Sequence, residues 1–336
     1  MKNLLYIGNQ LLTKNKTVTT IDTLSRALQI EGYKVITASN KRNMGLRLLD
    51  MLYQVIKFRK QVDYVLIDTY STFNFYYAYL VSQLCRILKL KYIPILHGGD
   101  LPNRLKESPK LSKAIFKKAY INVAPSLYTK SNFENLGYHN IICIPNTIDL
   151  ENYNFEERAI GSIRLLWVRS FSKIYNPLLA VKILKRLRAL NFNASLCMIG
   201  PDNDGSLKET MVLANELGVE IEFTGGLTKK EWHKKARAFN IFINTTNVDN
   251  MPVTVIEAMA LGLPVISTNV GGMPFLIENN KNGILVKPNS VKAFVEAIKK
   301  IIDSPDVSNT MVKEARKDVE QFDWKIVKSK WIKLLE

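Results

Sequence analysis

Short apolar runs alternate with helical patterns along nearly the whole chain, in two successive series. This constrains the fold more than any other feature, because parallel strands need long crossover connections and are buried on both faces. In the first series Leu4–Ile7, Lys34–Ala38, Tyr64–Ile67, Tyr92–Leu96, Ile121–Ala124 and Ile141–Ile144 read as strands. Thr19–Ile30 reads as a helix, opened by Thr19 and Asp22 at capping-box spacing. Residues 151–162 are polar and aperiodic and read as a linker. The alternation then restarts with strand Arg164–Val168 and helix Pro177–Leu190 and runs to helix Val291–Ile302. The expectation is an α/β chain of two doubly wound domains: residues 1–150, then linker 151–162, then 163–320. A last helix within 321–336 can pack on either half. Ligands of such sheets lie beyond the C-terminal strand ends, which predicts a main site in a central cleft faced by the two halves.

The 336 residues include 47 Lys+Arg against 30 Asp+Glu, a net charge of +17. Residues 1–150 carry +12 of it and residues 151–336 carry +5. Such a field fits nucleic acid, an anionic membrane surface or a phosphorylated substrate. No zinc-finger or RNP element accompanies it, so nucleic acid is not the expected partner. The three cysteines, Cys85, Cys143 and Cys197, lie far apart in apolar stretches. No metal site is expected from them, and they fit a reducing cytoplasm. No run approaches the roughly 18 apolar residues of a membrane span, so the chain is expected to be soluble or peripheral.

The densest chemistry lies between Asp249 and Pro274, Asp-Asn-Met-Pro-Val-Thr-Val-Ile-Glu-Ala-Met-Ala-Leu-Gly-Leu-Pro-Val followed by Gly271-Gly272. A loop carboxylate, Asp249, precedes a helix with Pro252 near its first turn. The helix start at Pro252, Val253 and Thr254, with the free amides that follow Pro252, suits an anion such as a diphosphate. Glu257 fits either an ordinary helix-surface residue or a ligand side chain. The segment as a whole resembles the signature of the retaining glycosyltransferases of family 4, which adopt the GT-B fold of two Rossmann-like domains. The resemblance implies that Glu257 binds the nucleotide ribose and that Asp249, where the family usually has Glu, contacts the donor sugar near the reacting carbon. Arg169 and Lys173 resemble the pair that neutralises the donor diphosphate. Ile199-Gly200-Pro201 and Phe223-Thr224-Gly225-Gly226 resemble the loops framing the nucleotide, and Pro145-Asn146-Thr147-Ile148-Asp149 resembles the interdomain stretch.

His97-Gly98-Gly99-Asp100 resembles the family's His-Gly loop, which places His97 beside the donor sugar. Gly98, Gly99 and Asp100 are acceptor-side candidates. The first βα loop, Gly8 to Thr17, contributes Gly8 near the sugar or diphosphate. Tyr70, in 68–77, which reads as a strand-end aromatic loop, either meets the acceptor or belongs to the core. His139 and His233 read as surface residues. Residues 41–60 form an amphipathic helix with Met44, Leu48, Met51, Leu52 and Val55 on one stripe. Lys41, Arg42, Arg47, Lys57, Arg59 and Lys60 flank it, which is either a core helix with a solvated rim or a contact for anionic lipid. The expected activity is transfer of a sugar from a nucleotide-diphosphate donor to a glycan or lipid-linked acceptor. It needs no metal or other cofactor and acts in the cytoplasm at the inner face of the membrane. The alternatives are a sugar-nucleotide epimerase on the same fold and a non-catalytic sugar-nucleotide-binding subunit.

Overall fold

Each series of apolar runs becomes one parallel sheet. The computed structural model describes residues 2–10, 19–159 and 161–336. The chain divides into two units, Met1–Asn146 with Trp324–Glu336, and Thr147–Asp323.

In the first unit the strands are β1 (Asn3–Ile7), β2 (Lys34–Ala38), β3 (Tyr64–Thr69), β4 (Lys91–Leu96), β5 (Asn122–Ala124) and β6 (Ile141–Cys143), in spatial order β2-β1-β3-β4-β5-β6. Successive side chains of a strand point to opposite faces, and both faces are covered. Leu4 and Tyr6 pack with Ile21, Leu24 and Leu28 of the helix Thr20–Ile30 and with Val327, Trp331 and Leu335 of the final helix Trp324–Leu335. Leu5 and Ile7 pack on the other face with Met51, Val55, Val81 and Cys85. The final helix is tied further to this unit by Lys328, 3.1 Å from Glu31.

The second unit contains β7 (Ile163–Val168), β8 (Ala194–Ile199), β9 (Glu222–Gly225), β10 (Ile241–Asn244), β11 (Val265–Thr268) and β12 (Ile284–Val286), ordered β12-β11-β10-β7-β8-β9. This is the Rossmann order, with its reversal between β7 and β10. Leu165 and Trp167 face one helical layer, while Leu166 and Val168 face the helix Val253–Ala260 and the helix Pro305–Val319.

Several expectations need correction. The border falls at Asn146, because Ile148 joins the second unit, its N–H donating to Phe322 O at 3.0 Å. The segment 151–162, read as a linker, is held on the second unit wherever it is described. Tyr153 is buried, and the Arg158 guanidinium donates to the carbonyls of Ala236, Phe239 and Leu261. Helix Pro305–Val319 was not foreseen, although Pro305 opens it in the first-turn position that suits proline. The aromatic stretch 68–77 is not one loop: Asp68 and Thr69 finish β3, and the helix Asn74–Ile87 begins at Asn74. Within the helix Met44–Phe58, Met51 and Val55 are buried, but Met44 is exposed. Arg47 is no flanking cation, since its guanidinium folds back onto Lys41 O and Arg42 O. A second face of that helix, Leu46, Leu49, Tyr53 and Ile56, is exposed. Among the described residues no helix is long and apolar enough to cross a membrane.

Candidate functional site

Chemistry in the second unit collects at the reversal of strand order, where the loops after β7 and β10 diverge and leave room for a ligand. Arg169 directly follows β7 and Asp249 lies on the loop after β10. Their side chains form an ion pair through Arg169 Nη2 and Asp249 Oδ2, with 12% and 11% exposure. The guanidinium also lies over the Tyr175 ring, 4.1 Å from its centroid, a stacking that an ammonium could not reproduce. Asp249 Oδ1 accepts from the Asn250 amide at 3.0 Å.

Glycines bring the neighbouring loops onto this pair. A Cβ at Gly200 would stand 1.8 Å from Arg169 O, and one at Gly271 would stand 2.1 Å from Asp249 O. Only a residue without a side chain permits either approach. Gly225 is linked to the same layer, its carbonyl accepting from Gly200 N at 2.9 Å. Pro252 caps the helix Val253–Ala260 and Val253 begins it, while Thr254 Oγ1 is buried without a partner. Lys173 stands apart: its side chain is 70% exposed and pairs with Glu209 at 3.4 Å, so the structure does not join its ammonium to Arg169.

Glu257 is buried, with only 2% exposure. Its Oε1 accepts from Tyr153 OH at 2.7 Å and from Lys229 Nζ at 2.7 Å. Burial, followed by the Glu257 charge, pushes the Tyr153 phenol far above its usual range. His233 is not the surface residue expected. Its ring lies 4.5 Å from that of Tyr153, Nε2 is buried without a partner, and burial pushes its pKa down. Tyr153, Lys229 and Tyr175 were missed by sequence reasoning, because only the tertiary fold brings them to Glu257 and Arg169.

The first unit carries its own cluster at adjacent strand ends. Gly8 follows β1, Asp68 lies near the end of β3, and His97 follows β4. Asp68 Oδ1 accepts from Tyr6 OH at 2.7 Å and lies 2.8 Å from His97 Nε2. Asp68 Oδ2 is buried without a partner. Tyr77 OH donates to Asp68 O at 2.6 Å, and the Tyr70 ring lies 5.4 Å from His97. Burial first, and Asp68 second, raise the phenols of Tyr6, Tyr70 and Tyr77 well above their usual range. Gly98 packs on the Ser71 backbone, Gly99 is half-buried, and Asp100 is exposed and accepts from Asn103. Residues 11–17 of the first βα loop lie outside the described residues. His139 is exposed. Asp68 could have been found from its place near the end of an apolar strand, where ligand groups gather. Among the described residues no group of three or more His, Cys, Asp or Glu side chains is arranged to hold a metal.

Comparison with known proteins gives these arrangements a context. Residues 152–318 match the family model described as Glycosyl transferases group 1. A sulfoquinovosyl transferase of Arabidopsis thaliana is 27% identical over 154 residues, which are 45% of this chain and 29% of that protein. The chain spans 29%, 33% and 66% of the length of the first three curated relatives it matches. Among solved structures, a sucrose-phosphate synthase of Thermosynechococcus elongatus has a TM-score of 0.83 at 16% identity, covering 99% of this chain and 98% of that one. HepE of Anabaena, solved in complex with UDP-glucose, has a TM-score of 0.79 at 16% identity, covering 100% and 99%. At such identity the likeness establishes the fold. The chain has the GT-B fold of two Rossmann-like domains, and its residues 152–318 match the glycosyl transferases group 1 model.

Proposed function

We propose that this protein is a retaining glycosyltransferase of family 4, moving a sugar from a nucleotide-diphosphate donor to a hydroxyl of a glycan or lipid-linked acceptor. The observation that carries the reading is the Arg169–Asp249 pair at the β7/β10 reversal, closed in by Gly200 and Gly271. In this reading Arg169 meets the diphosphate, where negative charge grows as the donor bond breaks. The amides of Val253 and Thr254 complete that anion site without a metal. Asp249 meets hydroxyls of the donor sugar and Glu257 meets the ribose. The acceptor oxygen bonds to the anomeric carbon on the face from which the nucleoside diphosphate departs, and its proton passes to the leaving phosphate oxygen. His97 stabilises the reacting centre. The sulfoquinovosyl transferase among the relatives supports transfer chemistry, and the HepE complex supports a UDP-sugar as the first donor to try.

The exposed face Leu46, Leu49, Tyr53 and Ile56, with Lys57, Arg59 and Lys60 at the helix end, would bring the first unit to anionic lipid at the inner face of the membrane. The test of the main reading is a thermal-shift screen of nucleotide sugars followed by transfer assays with the best binder. A ligand at 100 times its Kd stabilises by about 2.7 kcal/mol. Failure of every nucleotide sugar and free nucleotide diphosphate to raise the melting temperature refutes the proposal. Donor turnover without any acceptor would favour an epimerase, and binding without transfer a non-catalytic subunit.

A further inference from the structure

The cluster at Gly8, Asp68 and His97 differs from an ordinary phosphate-binding turn, and the difference bears on what it binds. A first βα turn after a doubly wound strand commonly cradles an anion with its glycine amides. Here the space beside Gly8 is taken by a carboxylate. A Cβ at Gly8 would stand 2.6 Å from Asp68 Oδ2. Asp68 is almost completely buried. Oδ1 already accepts from Tyr6 OH at 2.7 Å, and Oδ2 has no partner. A carboxylate only accepts, so the 2.8 Å contact from His97 Nε2 to Oδ1 requires the ring proton on Nε2. The neutral imidazole is then an acceptor at Nδ1.

Resting on the transferase reading, we propose that Asp68 is the positioning residue for His97. It fixes the imidazole as the Nε2–H tautomer, so that Nδ1 takes a hydrogen bond from a sugar hydroxyl and the site rejects an anionic group. Gly8 serves this arrangement by admitting the carboxylate, not by holding a diphosphate. A buried negative charge raises the cost of bringing phosphate against the ring, even though residues 1–150 carry +12. The donor's diphosphate is thus left to the second unit, and the first unit reads uncharged hydroxyls.

The chain has three histidines, so long-range 15N–1H correlation on histidine-labelled protein resolves each ring, with H97Q identifying His97. The expected result, at a pH where the ring is neutral, is the Nε2–H pattern in the wild type. D68N, which keeps an acceptor oxygen, retains that pattern and D68A loses it. G8A disturbs it by displacing the carboxylate. Excess inorganic phosphate leaves the His97 signals unmoved. With an active donor, D68A lowers kcat by at least tenfold while the donor KM changes little, and D68N recovers part of the loss. An Nδ1–H pattern in the wild type overturns the proposal even if every variant fails to fold. A D68A variant with the wild-type pattern, or a phosphate-induced shift of His97, also overturns it. If the tautomer is as stated but no nucleotide sugar binds, the positioning role stands and the transferase reading falls.

Discussion

Removing the Lys229 ammonium, as in K229M, isolates a charge that the fold has already taken out of water. Glu257 is 2% exposed, whereas the Lys229 side chain is 39% exposed. Breaking a fully buried pair by deleting one partner costs about 3–5 kcal/mol, while an exposed pair contributes about 0.2–1 kcal/mol. One buried and one half-open partner place the expected loss between these, at about 2 kcal/mol. Tyr153 OH remains on the same oxygen and keeps the loss from reaching the buried limit. For a unit of this size about 1 kcal/mol corresponds to about 2–4 °C in melting temperature, so K229M should melt about 4–8 °C lower. E257Q removes the stranded charge, so the double variant K229M/E257Q should recover most of the loss. The cycle should yield a coupling of at least about 1 kcal/mol. Denaturant unfolding of the four proteins measures it. A K229M loss below about 0.5 kcal/mol with no coupling would mean that Glu257 is solvated, and the burial argument fails.

Four further outcomes follow from the same geometry. R169A should cut turnover by about 10²–10³ while donor affinity falls much less, because charge at the diphosphate builds in the transition state; equal losses in both would reduce Arg169 to ground-state binding. G200A must push the Arg169 backbone away from a 1.8 Å overlap, so nucleotide-induced stabilisation should disappear, and normal thermal shifts would show that the loop is free to move. Burial holds His233 below its usual pKa, with Glu257 opposing and Lys229 reinforcing the shift; the unfolded chain then binds the proton more readily, so stability is full above about pH 6.5 and falls as pH drops below it. H233Q should flatten that acid limb in melting curves, and an unchanged slope would refute the assignment. Replacing Leu49 and Tyr53 by Ser and neutralising Lys57, Arg59 and Lys60 should reduce sedimentation with anionic vesicles, whereas equal sedimentation would remove the lipid contact.

Local periodicity carried most of the architecture. Leu4–Ile7 and Leu165–Val168 are short apolar runs, and their burial on both faces is written into consecutive apolar residues. Other elements were invisible for identifiable reasons. Pro305–Val319 is a largely polar helix whose apolar positions, Met311, Val312, Ala315 and Val319, matter only once the helices Val253–Ala260 and Val291–Asp303 are there to pack against. Arg47 reads as a surface cation, yet its guanidinium satisfies the carbonyls of Lys41 and Arg42 just ahead of its own helix. Lys229, Lys230, Lys234 and Lys235 make the stretch around His233 read as surface, although its neighbour Trp232 is buried. Tyr153 reaches His233 across 80 positions of sequence.

By itself the sequence determined a chain of two parallel α/β units, because strand and helix periods are local patterns, and its resemblance to the family 4 glycosyltransferases marked Arg169, Asp249, Glu257 and His97. Tertiary structure alone decided what those groups face. It joined Arg169 to Asp249, capped Glu257 with Lys229 and Tyr153, and set Asp68 beneath His97. It also placed the last helix on the first unit. Each of these depends on which strands lie side by side. Strand order is fixed by packing two helical layers on a sheet, a long-range balance that the spacing of residues along the chain does not encode.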